Sequence, residues 1–146
     1  MNSSDRFTLP VAVSLLLIRD NSILLIRRFN TGWQDGMYGV PAGHIDGNES
    51  ALSALCREAE EEIGILLKPE DVSFANICHT KSNKEYMYLY FVAKQWTGEP
   101  YNKEPHKCDK LLWAPLDDLP QNLIPSIRIA IEKYQGGVYF LQEGWA

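Results

Sequence analysis

Hydrophobic positions fall in short blocks along the chain, and the spacing within each block predicts its element. Val11 to Ile18 is a nearly continuous apolar run broken only by Ser14, and Ser22 to Ile26 follows after Asp20-Asn21. Two such runs around a short polar turn predict a β-hairpin whose strands are buried on both faces. Arg27 to Gly36 is polar and turn-rich and reads as an exposed loop. Met37 to Pro41 reads as a short strand leading into a glycine loop. From Asn48 or Ser50 the period lengthens to that of a helix running to about Ile63, with Gly64 placed to end it. Val72 to Thr80 and Tyr86 to Ala93 are strands around the polar Lys81-Ser82-Asn83-Lys84. Trp96 to Lys107, with two prolines and a glycine, is a loop, and Lys110 to Ala114 is a strand. Ile124 to Tyr134 carries an apolar stripe at Ile124, Ile127, Ala130 and Ile131 and reads as a second helix. Strands flanked by two separated helices imply an α/β fold, a mixed sheet with a helix on each side.

Composition narrows the class. The 146 residues suit a single domain over 1–146, and 45% hydrophobic with 23% charged residues is a globular balance. A net charge of −5 argues against a broad nucleic-acid or anionic-membrane surface, but a bound cation would still admit a small anionic ligand. Three widely spaced cysteines fit free thiols in a reducing compartment. MNSSDRFTLP lacks the basic-then-apolar profile of a signal peptide, and no apolar run reaches membrane-spanning length. The expected setting is the cytoplasm.

The most informative stretch is GHIDGNESALSALCREAEEEIGI, Gly43 to Ile65. At about 100° per residue, Leu52, Leu55, Cys56, Ala59 and Ile63 share the sector expected to face the sheet. Glu58, Glu61 and Glu62 occupy the neighbouring sector, and Glu60 points away. Three carboxylates on one face repel one another unless a cation lies between them, and hard cations such as magnesium take oxygen ligands. Arg57 lies at the edge of this face, where it can hold a glutamate or a phosphate. A Glu-rich helix face alone is usually just solvated surface. Here Gly43, Glu49, Arg57, Glu58, Glu61, Glu62 and Gly64 all fit Gx5Ex7REUxEExGU, with Ile65 in the last aliphatic place. Seven fixed positions at roughly 7% each coincide about once in 10⁸ windows.

On these residues the chain resembles the Nudix hydrolase family, whose box it carries from Gly43 to Ile65. Ala59 departs from the preferred bulky aliphatic, and Pro41-Ala42-Gly43 stands where many members have Pro-Gly-Gly. Trp33 to Pro41, and Trp96 to Pro120 with Gly98-Glu99-Pro100, Glu104, Lys107-Cys108 and Trp113, look like the flanking segments of MutT-type enzymes. The resemblance implies an α/β/α sandwich that hydrolyses a nucleoside diphosphate linked to another group. Glu58, Glu61, Glu62 and Glu104 would hold magnesium, or manganese in its place, with the carbonyl of Ala42 or Gly43. Glu58 or Glu61 would activate water, Arg57 would orient a glutamate, and Glu49 would support the helix. The implied reaction cleaves a nucleoside triphosphate, oxidised or otherwise non-standard ones included, into a monophosphate and pyrophosphate. The alternatives are a nucleoside diphosphate sugar such as ADP-ribose, or nucleotide sensing without turnover. A homodimer is common among similar proteins.

Other residues have weaker signals. Arg27 is the candidate phosphate contact, with Arg28 beside it. His44 and Tyr88 are candidate substrate contacts, and Trp33, Tyr38, Tyr86 and Trp113 are stacking residues or core. Cys78-His79 with His106 and Cys108 fits no standard zinc spacing. Asn122 lies one place from where MutT-type enzymes read the base, so that specificity does not carry over.

Overall fold

The computed structural model describes residues 5–146; the first four residues of the MNSSDRFTLP segment lie outside the described residues. Strand β1 spans Val11–Arg19 and β2 spans Ser22–Arg28. Asp20 and Asn21 both adopt positive φ, 51° and 61°, as a two-residue hairpin turn of the right hand requires. The hairpin is confined to its root, with two ladder pairs, Ile18↔Ile23 and Arg19↔Ser22. Beyond it the strands diverge, which corrects the simple hairpin expected from the sequence. The physical cause is a segment inserted between them. β3 (Tyr38–Gly39) pairs with β2, β4 (Ala42–His44) pairs with β1, and the Leu15 amide donates to the Pro41 carbonyl at 2.8 Å. The expected glycine loop therefore starts in the short strand β4 and continues as an irregular segment from Ile45 to Ser50.

On the other edge of β1 runs β6 (Glu85–Ala93), parallel to it, followed by β5 (Val72–Lys81) and then β8 (Phe140–Glu143). β7 (Cys108–Pro115) pairs along all of β2. β8 and a single 3₁₀ turn at Pro69–Asp71 had no clear periodic signal.

Alternation along β1 divides the core. Val13, Leu15 and Leu17 meet Ala54, Leu55, Ala59 and Ile63 of α1 (Ala51–Ile63). Leu16 and Ile18 meet Ala130 and Ile131 of α2 (Pro125–Gln135) on the opposite face. This is the expected α/β/α sandwich, and seven consecutive buried residues, Ala12 to Ile18, explain the unbroken apolar run. Asn76 donates to the Ala130 carbonyl at 3.0 Å and ties β5 to α2.

The helix that carries the motif is capped at both ends. Ser50 accepts from the Ser53 amide at 3.1 Å, and Gly64 turns left-handed at φ 68°. A Cβ at Gly64 would strike the Tyr101 ring. Removing the Ser50 hydroxyl leaves a helix amide without its partner, so Ser50→Ala should cost about 1 kcal/mol, measured as a lower denaturation midpoint in urea.

Candidate active site

Helix α1 presents its carboxylates at increasing depth. Glu61 is half exposed, Glu58 is mostly covered, and Glu62 is largely buried. Glu62 accepts one hydrogen bond, from the Ala42 amide at 2.8 Å. Burial first, and then the charge of Glu58, push its carboxyl up to about 8. Glu58 is also raised, by burial, with Arg57 opposing the shift. The Glu58 carboxyl lies so close to Gly43 that a Cβ there would overlap it, and the φ of Gly43 is not positive. Gly43 is needed for space, not for an unusual backbone angle.

Arg57 ties the box together. Its Nε and Nη2 grip Glu49 at 3.2 and 2.8 Å, Nη1 donates to Glu58 at 2.8 Å and to Glu61 at 3.5 Å, and Nη2 also reaches the His44 carbonyl at 3.3 Å. Glu49 accepts in addition from the Asp46 amide at 3.0 Å, and these bonds hold its carboxyl below the usual range, Arg57 first. Strand β4, the turn after it and the helix are thus joined through one guanidinium.

Glu104 arrives from the far loop. Tyr101 and Lys103 amides donate to the Ile63 and Glu62 carbonyls at 3.0 and 3.2 Å, laying the loop onto the end of α1. Asn102 accepts from the Glu104 amide and donates to the Cys108 carbonyl, closing the turn. Glu58, Glu61, Glu62 and Glu104 consequently line one cavity of about 660 Å³, together with Ala42, Arg28, His106 and Lys107. Among the described residues no three His, Cys, Asp or Glu side chains already converge on one point. Glu58 is turned to Arg57 and Glu62 to the Ala42 amide. The donor set is all oxygen, and Glu62 is a buried carboxylate with a single hydrogen bond, which is the chemistry of a hard divalent cation's ligands.

A second cavity of about 520 Å³ adjoins the first, and Ile26, Arg28 and Ala42 line both. It contains His44 and Gly43 and is mainly apolar, with an aromatic share from Trp33, Tyr86, Tyr88 and Tyr90. Tyr86 and Tyr88 stack at 5.7 Å. The loop bearing Trp33 is tightly wired: Asp35 accepts from the Thr31 and Gly32 amides, and Arg28 donates to the Trp33 carbonyl at 2.7 Å while lying 4.9 Å from its ring centre.

Arg27 requires correction. It lies in β2, paired with Asp109 at 2.7 Å, and lines neither cavity, whereas Arg28 lines both. Alternation is the reason. Leu24 and Ile26 pack on the α1 face of the sheet, and the same period of two brings Arg28 round. Extending that alternation by one further step of two residues, from Ile26, identifies Arg28. Lys107 carried no chemical signal beyond its family position, and Ser82 and Asn83, also on the second cavity, carried none. Trp113 stacks with Trp96 under Arg19, away from both cavities, and Tyr38 is core. Asn122 donates to the Gly36 carbonyl, and Glu85 pairs with His79 at 2.9 Å. The cysteine–histidine set is dispersed: Cys78 contacts Glu143, while Cys108 and His106 lie at the acidic cavity.

Comparison with known proteins agrees with this architecture. The NUDIX domain model matches residues 8–134. An 8-oxo-dGTP diphosphatase of Escherichia coli strain K12 is 28% identical over 115 residues, 77% of this chain and 88% of that protein. An ADP-ribose pyrophosphatase of Methanocaldococcus jannaschii is 38% identical over 58 residues, 40% of this chain and 34% of that protein. Among solved structures, a MutT NUDIX hydrolase from Burkholderia pseudomallei superposes with a TM-score of 0.79 at 33% identity, covering 86% of this chain and 98% of the other. Divalent metal ions are the general cofactors of that family. Among the described residues no helix is long and apolar enough to cross a membrane. With the motif on the floor of an acidic cavity and the domain model spanning residues 8–134, the chain belongs to the NUDIX domain family and is a Nudix hydrolase of the MutT type.

Proposed function

We propose that this hydrolase cleaves a nucleoside triphosphate, oxidised or non-standard ones included, to a nucleoside monophosphate and pyrophosphate. The observation that carries the reading is the shared lining of two unlike cavities. The acidic one suits a metal-bound polyphosphate, the aromatic one suits a nucleoside, and Arg28 and Ala42 stand between them. The name of the Escherichia coli relative supports the same substrate class.

Glu58, Glu61, Glu62 and Glu104, with the Ala42 or Gly43 carbonyl, are the groups that would hold magnesium, or manganese in its place. Bound there, the metal would offset the negative charge of the phosphates during cleavage. Arg57 fixes the Glu58 carboxylate, which takes the proton of the attacking water as the new oxygen–phosphorus bond forms; Glu61 is the second candidate for that proton. The bridging phosphorus–oxygen bond on the attacked phosphorus breaks, and its electron pair leaves on the bridging oxygen with the fragment that water has not attacked. Arg28 and Lys107 supply positive charge to the phosphates. His44 borders the nucleoside side, and Tyr88 offers a stacking face.

A second reading, cleavage of a nucleoside diphosphate sugar such as ADP-ribose, draws on the Methanocaldococcus jannaschii relative's name. Sensing without turnover is a third outcome of the same test. Phosphate and pyrophosphate release should be measured across normal and oxidised nucleoside triphosphates and ADP-ribose with magnesium. Pyrophosphate from a triphosphate is expected. Release confined to ADP-ribose would replace the first reading with the second, and tight binding without release would identify a sensor. The free thiols Cys56, Cys78 and Cys108 fit a cytoplasmic setting. Light scattering tests the homodimer that goes with this reading.

A further inference from the structure

The hairpin joining β5 to β6 forms one rim of the aromatic cavity, through Ser82, Asn83, Tyr86 and Tyr88. The sheet supports it poorly. β6 pairs with β1 only from Met87 onward and β8 pairs with β5 only as far as Thr80, so the tip from Lys81 to Tyr86 projects beyond both neighbouring strands and has only its own ladder there. By alternation Cys78, Tyr88 and Tyr90 turn toward the α2 face. His79, Lys81 and Glu85 turn to the opposite face.

The segment after β8 meets that opposite face. β8 runs parallel to β5 as far as Glu143↔Thr80, and Gly144 then turns left-handed at φ 80°. A Cβ at Gly144 would overlap the Lys81 carbonyl oxygen, so only glycine lets the chain pass this close beneath the hairpin. Trp145 follows. Its Nε1 donates to the His79 carbonyl at 3.0 Å, and its ring lies 4.7 Å from the His79 ring. The Lys81 ammonium sits 5.4 Å from the indole centre, within cation–π range. His79 in turn contacts Glu85 at 2.9 Å, linking the two strands of the hairpin.

We infer that Gly144 and Trp145 are positioning residues for the nucleoside: they brace the β5–β6 hairpin from behind and so fix the rim of the aromatic cavity on its other side. The inference rests on the functional reading above, because it gives that cavity its occupant. Neither residue touches either cavity, so their effect falls on binding and not on the cleaving carboxylates.

The test is Trp145→Ala, with Trp145→Phe beside it to keep the ring on His79 while deleting the N–H donor. With the best triphosphate of the panel, Trp145→Ala should raise KM about tenfold and leave kcat within about twofold. Amide exchange from Lys81 to Tyr86 should accelerate while that of β1 and α1 is unchanged. Trp145→Phe should fall between, and it supplies the measurement if the alanine variant does not fold. Unchanged KM and unchanged hairpin exchange would overturn the brace. Loss of protection across the whole sheet, with kcat falling as KM rises, would also overturn it, since that marks an ordinary structural residue. If the unaltered protein cleaves no nucleotide, the functional reading fails, and the brace is then judged by hairpin exchange alone.

Discussion

Glu62→Gln should lower magnesium-dependent kcat by about 10²- to 10³-fold, the scale of one lost electrostatic contact to the transition state, and should nonetheless stabilise the metal-free protein at alkaline pH. The two effects share one cause. Glu62 is largely buried, accepts one amide hydrogen bond and shares its surroundings with Glu58, so its carboxyl is pushed up to about 8. An unfolded chain releases that proton in the ordinary carboxyl range. Between the two values the folded state holds a proton that the unfolded state has lost. Stability of the metal-free protein therefore falls as pH rises from about 4.5 to about 8. Glutamine removes the titrating group and flattens that part of the profile. Metal binding requires the ionised form, so stabilisation of the unaltered protein by magnesium should be larger at pH 8 than at pH 6. Thermal melts with magnesium or a chelator, taken at several pH values for both proteins, measure all three slopes. Full turnover in the glutamine variant would remove Glu62 from the metal site. A pH slope that survives the substitution would assign the proton to another group.

The second large effect is expected at a residue with no functional group. Gly43→Ala adds one carbon, which would overlap the Glu58 carboxyl. Backbone angles give no objection, because the φ of Gly43 is not positive. The conflict is with the end of a flexible side chain, so the fold should survive while Glu58 swings away from Arg57 and from the cavity. Displacing a reacting group by about an ångström costs on the order of 10²-fold, and a kcat loss of that size is expected with little change in the melting temperature. Glu58→Gln serves as the comparison: combining it with Gly43→Ala should add little, because both remove the same carboxylate from the same place. Additive losses would show that Gly43 acts through something other than Glu58.

Legibility from sequence followed the range of each interaction. α1 was readable at both ends because its signals are local, with Ser50 as cap, Gly64 as stop and an apolar sector of the right period. β5 and β6 were readable for the same reason. The divergence of β1 from β2 was not, since it depends on a segment 28 to 32 residues from its partners in β1 and 11 to 13 from those in β2 pairing with each strand separately. β8 escaped because only Leu141 of its four residues is buried, leaving no alternating pattern. In the site, the spacing of Glu58, Glu61 and Glu62 reported their common face directly. Arg27 and Arg28 both end the strand just before the loop, so position along the chain does not separate them, and alternation decides which guanidinium faces the cavities. Glu104 was visible through family position alone. Its placement comes from backbone hydrogen bonds of Tyr101 and Lys103 to the end of α1, which carry no side-chain signature.

The parting of β1 from β2 also bears on how such a protein can diversify. The carboxylates proposed to cleave hang from α1, which is packed on β1 and β4. The parts proposed to meet the nucleoside hang elsewhere: Trp33 on the loop after β2, and Tyr86 and Tyr88 beside the β5–β6 tip. Insertions or substitutions at those tips leave the ladder beneath α1 intact. On the proposed assignment, mutational drift can redraw the choice of base while the residues proposed to break the bond are inherited unchanged. Only the few side chains lining both cavities, Ile26, Arg28 and Ala42, are answerable to both demands. Mutational scans under selection for a new substrate should find the tips permissive and these three positions closed.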